Sequence, residues 1–166
     1  HSLIKTEHIT PGNNADEVKL VYQKLRKKYI PSLDLFNNIV NESEKVSIPV
    51  ILNLNGTIIS GKLISIRRYY DLLQKSFIKN FSGQNQKKWN DIFNDLKNEL
   101  PNTPEENEVT SDITGRNSIC LEDPKYLVNG QLIKAGDSSL VWIGKIEDIN
   151  GFTLGKLEFP TEYPTN

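Results

Sequence analysis

ILNLNGTIISGKLIS, residues 51–65, is the stretch on which the fold turns. Read with the residues before it, Val46, Ile48, Val50, Leu52 and Leu54 alternate with Ser47, Pro49, Ile51 and Asn53. A period of two is the mark of a half-buried strand. Asn55-Gly56 then predicts a two-residue hairpin turn, because a type I′ turn needs positive φ at both central positions. Beyond it, Ile58, Leu63 and Ile66 supply apolar bulk for a returning strand. Pro49 cannot donate to a ladder, which argues against a central place for the first strand.

Working outward, the flanks read as helices. In ADEVKLVYQKLRKKY (15–29), Val18, Val21, Tyr22, Leu25 and Tyr29 recur at helical spacing, Asn14 is placed to cap the start, and Pro31 follows the end. SLDLFNNIVNESEK (32–45) predicts a second helix capped by Ser32, with Leu35, Phe36, Ile39 and Val40 on one side. After the hairpin, RRYYDLLQKSFIKNF (67–81) offers Tyr69, Leu72, Leu73, Phe77 and Phe81 as a buried side. NQKKWNDIFNDLKNEL (85–100) is amphipathic through Trp89, Ile92, Phe93, Leu96 and Leu100, and Pro101 stops it.

Residues 101–117 form a polar, acidic-biased loop of the kind expected to be mobile. Strands return after it, with further Asn-Gly pairs at Asn129-Gly130 and Asn150-Gly151. The second pair, between VWIGKIEDI and FTLGKLEF, predicts another hairpin, with Gly144 at a bulge or sharp bend. The fold class expected is α+β: a small open or closed antiparallel barrel of Sm/SH3-like type. An N-terminal helical arm would occupy 1–45. The barrel domain would span 46–159, with a helical insertion at 67–100, the mobile loop at 101–117, and a tail at 160–166.

The charge is balanced, with 20 basic and 21 acidic side chains, which argues against an extended nucleic-acid surface. A single cysteine, Cys120, excludes an internal disulfide and suits a reducing compartment. Flanked by Ile119 and Leu121, it should point away from their face as a structural thiol. No apolar run approaches the ~20 residues of a membrane span and no signal peptide is visible, so a cytoplasmic location is expected. His1 and His8 have no partner at metal-ligand spacing. The carboxylates Glu122, Asp123, Glu147 and Asp148 are the only candidates for an acid/base pair, and solvated turns account for them more simply. The glycine runs do not open a helix after a parallel strand, so they lack the phosphate-cradling pattern. The expectation is a chain without catalysis, cofactor or metal.

Two resemblances follow from these residues. LNGTIISGKLISI has the glycine spacing of the first Sm motif, which implies the barrel. At the offsets of the Sm uridine contacts the chain has Arg67 and Asp71, and the arginine before the glycine of the second motif is Ile143. The second resemblance is to the gas vesicle accessory protein U family. It rests on Asn55, Gly56, Ile59, Ser60, Gly61 and Tyr70, then on Trp142, Gly144, Lys145, Ile146, Gly151, Phe152, Leu154, Gly155 and Lys156. This resemblance implies a cytoplasmic accessory protein that modulates assembly or clustering of gas vesicles through protein–protein contact. Its partners would be gas vesicle proteins or a second copy of itself. The residues expected at such a contact are Arg67, Arg68, Lys145, Phe152 and Lys156, with the FTLG edge as one surface. The competing expectation is an RNA- or single-strand-binding barrel using Arg67, Arg68, Lys145 and Lys156. A small hydrolase with a carboxylate pair is a third.

Overall fold

The computed structural model describes residues 30–100, 117–134 and 140–158. The helix expected at 15–29, most of the acidic loop and the tail lie outside the described residues. The elements are α1 (Pro31–Glu42), β1 (Ile48–Leu54), β2 (Thr57–Ile64), α2 (Ile66–Ile78) and α3 (Gly83–Asn98). They are followed by β3 (Ser118–Val128), β4 (Gln131–Lys134), β5 (Val141–Lys145), a 3-10 turn (Ile146–Asp148) and β6 (Gly151–Leu154). The strands make one antiparallel sheet in the order β4-β3-β2-β1-β6, with β5 beside β4 on the same side of β3.

The predicted turns at Asn55-Gly56 and Asn129-Gly130 form. All four residues hold positive φ, 51° and 92° in the first pair and 51° and 75° in the second. Asn150-Gly151 makes no hairpin. β5 and β6 lie on opposite edges of the sheet and share no ladder. Between them the chain winds through the 3-10 turn, whose ends are tied elsewhere: Ile146 N–H to Asn117 O (2.9 Å) and Asn150 N–H to Asn53 O (2.8 Å). The Asn150 side chain also accepts the Asn55 N–H, bracing the first hairpin.

That connection bends the sheet. Flat strands about 4.8 Å apart would place these two edges about 19 Å from each other. A 3-10 turn rises only about 2 Å per residue, so the short link cannot reach unless the sheet curls. Among the described residues the curled sheet is not closed, the open form of the two that were expected.

β1 is central, contrary to the inference from Pro49. It pairs with β2 along its length and with β6 over Val50–Asn53. Pro49 is tolerated because its nitrogen faces β6 just past the end of that ladder, where only its carbonyl is used, by Gly155 N–H at 2.9 Å.

The concave face holds the main core. Val50, Leu52, Ile59, Leu63, Ile119 and Leu121 meet Leu33 and Val40 of α1, and Ile146 and Ile149 close one end. On α1 the buried side is Leu33, Phe36, Asn37 and Val40, while Leu35 is 56% exposed and Ile39 is also exposed. The polar Asn37 interrupts the apolar stripe. It is buried because its amide donates to Ser118 O at 3.0 Å. Pro31 is the first helical residue after Ile30, and Ser32 makes no cap.

The other face is covered at one end by the helical insertion. Ile64, Ile66, Leu100 and Cys120 form a second core with Tyr69, Tyr70 and Leu72. Ser65 caps α2 by accepting Arg68 N–H at 3.0 Å. Cys120 therefore does point away from Ile119 and Leu121, into a separate cluster. Phe93 on α3 and Leu100 just past its end are buried, but Ile92 and Leu96 of the predicted stripe stand at the surface.

Candidate functional site

The residues singled out in the two sequence blocks converge on the curled sheet, and most of them shape its backbone. The true bulge is on β3, opposite Gly61. Ser60 pairs with Lys125 and Lys62 with Glu122, so Asp123 and Pro124 together face one residue. Asp123 takes a left-handed φ of 53°. Leu121 and Tyr126 are five apart and would lie on opposite faces of a regular strand. The extra residue turns both toward the core. Gly61 permits the close approach, since a Cβ there would lie 3.1 Å from Glu122 O and from Leu121 Cβ. The bulge is also where the outer partner of β3 changes from β5 to β4. Buried Ser60 accepts Leu157 N–H at 3.2 Å, holding the chain after β6 across the convex face.

Gly144 serves another purpose than a bulge. β5 pairs regularly with β3 through it. The Trp142 ring folds over its Cα, so that a Cβ at Gly144 would lie 2.7 Å from Trp142 Cζ2. Phe152 packs edge-on against Phe36 of α1, ring centroids 6.2 Å apart. Asn55 and Gly56 make the turn, and Gly151 begins β6. Gly155 ends it at φ 126°.

Cys120 is buried, and desolvation pushes its thiol up to about 12. A thiolate is the reactive form, so the folded protein should resist alkylation. Labelling by iodoacetamide at pH 8 should be at least about a hundredfold slower in the native state than in urea. The same shift makes stability depend on pH. The unfolded thiol loses its proton near its ordinary value of 9 while the folded thiol keeps it, so stability should fall as pH rises from about 9 toward 12. Equal labelling rates with and without urea would refute this placement. Tyr69 and Tyr70 beside it are also raised, by burial first and then by the nearby thiol.

The basic residues expected at a contact are not gathered into one site. Arg67 is paired with Glu44 at 3.0 Å. Arg68 makes a fork on Glu122, with Nε to Oε2 and Nη2 to Oε1 both at 3.1 Å, and the hydrogen bond holds its pKa above the usual guanidinium value. Lys145 is exposed at the end of β5. Lys156 follows β6 and pairs with Glu158 at 2.8 Å. Of the carboxylates weighed for catalysis, Glu122 is held by Arg68, and Glu147 and Asp148 are exposed in the 3-10 turn. Among the described residues no three His, Cys, Asp or Glu side chains gather as a metal site. No described helix is long and apolar enough to cross a membrane.

Sequence reading missed one cluster. Lys62, Lys125 and Lys134 project from β2, β3 and β4 on the convex face, beside Lys156 and around Asp123. Their separation along the chain hides them. The signal available was the break DP within a strand, which marks the bulge at the centre of the group.

The model of the family described as Gas vesicle protein GvpU-like matches residues 31–157. No curated protein and no solved structure matches the chain. The family match runs from the first residue of α1 to Leu157, the residue tied to Ser60, and thus takes in the entire sheet with its helical insertion. The chain belongs to the GvpU-like gas vesicle protein family.

Proposed function

We propose that the chain is a non-enzymatic cytoplasmic accessory protein that acts on gas vesicles, or on copies of itself, by protein–protein contact. The observation that carries this reading is the outer edge of β6. Gly155 N–H bonds to Pro49 O, and hydrogen-bonded pairs alternate along an antiparallel ladder. By that parity Gly151 and Thr153 face β1, while the backbone groups of Phe152 and Leu154 face outward. Leu154 is 51% exposed on the same strand. Among the described residues no strand pairs with this edge, and an open edge with an apolar side chain is the element that β-strand addition uses. Arg67 and Arg68, which an RNA contact would need free, are already held by Glu44 and Glu122. Phe152 supports the edge from within through its contact with Phe36.

The test is flotation. Protein mixed with isolated gas vesicles should rise with them on centrifugation, and Leu154→Lys should reduce the floated fraction by about tenfold, since an edge lysine opposes strand pairing. Its thermal midpoint should shift by only about 1 °C, because the side chain is half exposed. Sedimentation velocity on the same pair of proteins reads self-association. Undiminished flotation and self-association of the variant would sink the edge reading.

A further inference from the structure

We propose that the lysine-lined convex face is a second contact site, which takes an acidic extended segment of a partner protein. Lys125 and Lys134 stand directly opposite each other on β3 and β4. Like charges at that position repel, so the pair is unfavourable without a counter-ion. Asp123 is the internal one, with Lys134 Nζ 3.0 Å from Oδ1 and Lys125 Nζ 3.9 Å from Oδ2. Oδ1 has no aligned hydrogen bond, so the contact is one of charge alone. Lys156 closes the group from the segment after β6, and its own partner Glu158 is a solvent-exposed residue. Lys62 adds a further cation beside Asp123. Glu122 shares this face and is taken by Arg68, so among the described residues four lysines meet the two remaining carboxylates, Asp123 and Glu158.

The shape fits a peptide. One hollow of about 340 Å³ is lined by Lys125, Lys134 and Lys156 together with Leu132 and Leu157, and by Glu158, which pairs with Lys156. A smaller one, about 60 Å³, adjoins it through Lys125 and Lys156 and reaches Lys62. Cations around an apolar floor suit a chain that alternates carboxylates with aliphatic side chains. A polynucleotide is disfavoured. Among the described residues no aromatic ring lines either hollow to stack a base. This site lies apart from the β6 edge contact and does not depend on it.

The experiment is fluorescence polarisation on the full chain with a labelled hexapeptide, Glu-Leu-Glu-Leu-Glu-Glu, its Gln-for-Glu counterpart, and a ten-nucleotide oligouridine. The acidic peptide should bind, weaken as salt is raised, and lose about tenfold in affinity in Lys125→Gln/Lys134→Gln. That double variant removes a like-charge pair but also both cations beside Asp123, so its thermal midpoint is measured alongside binding. If it fails to fold, Lys62→Gln/Lys156→Gln at exposed positions should give the same loss of binding. Leu154→Lys should bind the peptide as the parent does, which separates this site from the edge. No binding of the acidic peptide, equal binding of its Gln counterpart, insensitivity to the lysine changes, or tighter binding of oligouridine would each overturn the proposal.

Discussion

Gly144→Ala is expected to destabilise the protein by about 3 kcal/mol, although it adds one methyl group to a short strand. The added Cβ would lie 2.7 Å from Trp142 Cζ2 and 3.0 Å from Cζ3. No rotation of the methyl relieves this, because Cβ is fixed by the backbone. β5 is held by its ladder to β3 and cannot retreat. The indole must therefore leave, and with it goes its packing against the main core. The loss should lower the thermal midpoint by about 8 °C, at roughly 2–4 °C per kcal/mol for a chain of this size. A double-mutant cycle gives the sharper reading. With Trp142→Ala already made, Gly144→Ala should become neutral or stabilising by about 0.5 kcal/mol, since Gly144 lies outside the left-handed region and alanine reduces the entropy of the unfolded chain. The sign of the second substitution thus depends on the first. If Gly144→Ala costs the same in both backgrounds, the ring is not what the glycine accommodates.

Gly144 also shows where sequence reasoning reached and where it stopped. A glycine breaking an alternating run was legible as a special position, but a bulge and a ring lying over the Cα leave the same mark. The turns at Asn55 and Asn129 were legible because their backbone demand is local: two consecutive positive φ values select Asn-Gly. The same dipeptide at Asn150 misled, since nothing local tells a strand that its partner is β1 across the sheet and not β5 behind it. The helical insertion followed from its apolar period, and Ser65 supplied its cap. Its burial did not follow. Ile92 and Leu96 satisfy the period, yet α2 reaches only the side that carries Phe93. On α1 the apolar count favoured Leu35 and Ile39, while a buried asparagine marked the core side. The bulge could have been read from Asp123-Pro124 within a strand, and with it the reason that Lys125 shares a face with Glu122. The lysine cluster could not, because strand order and register bring it together and neither is written in any one segment.

Phe77→Ala is the second large effect expected, about 3 kcal/mol, and it should act on the helical insertion more than on the sheet. Phe77 is the hub of an aromatic group. Its ring centroid lies 5.0 Å from Phe81, 5.0 Å from Trp89 and 5.7 Å from Phe93. Tilted and edge-on pairs of this kind add about 0.5–1.5 kcal/mol each beyond the area they bury. The other ties between α2 and α3 are polar and partly exposed: Gln74 Nε2 to Asn90 Oδ1 and Lys97 Nζ to Asp71 Oδ1, each 2.9 Å. Surface pairs of that type contribute little alone. Without Phe77 the distal part of the helix pair should open. The second core at its base, Ile64, Ile66, Leu100 and Cys120, anchors only the end next to the sheet. Trp89 reports the event, so the experiment uses a Trp142→Phe background and follows the remaining emission. Phe77→Ala should shift that emission to the red at temperatures where amides of β1 and β2 are still protected from hydrogen exchange. If the tryptophan signal and sheet protection are lost together, the insertion and the sheet are one cooperative unit. If they separate, the edge of β6 and the lysine face stand on a scaffold that tolerates change in the helices, and flotation with Phe77→Ala should match the parent.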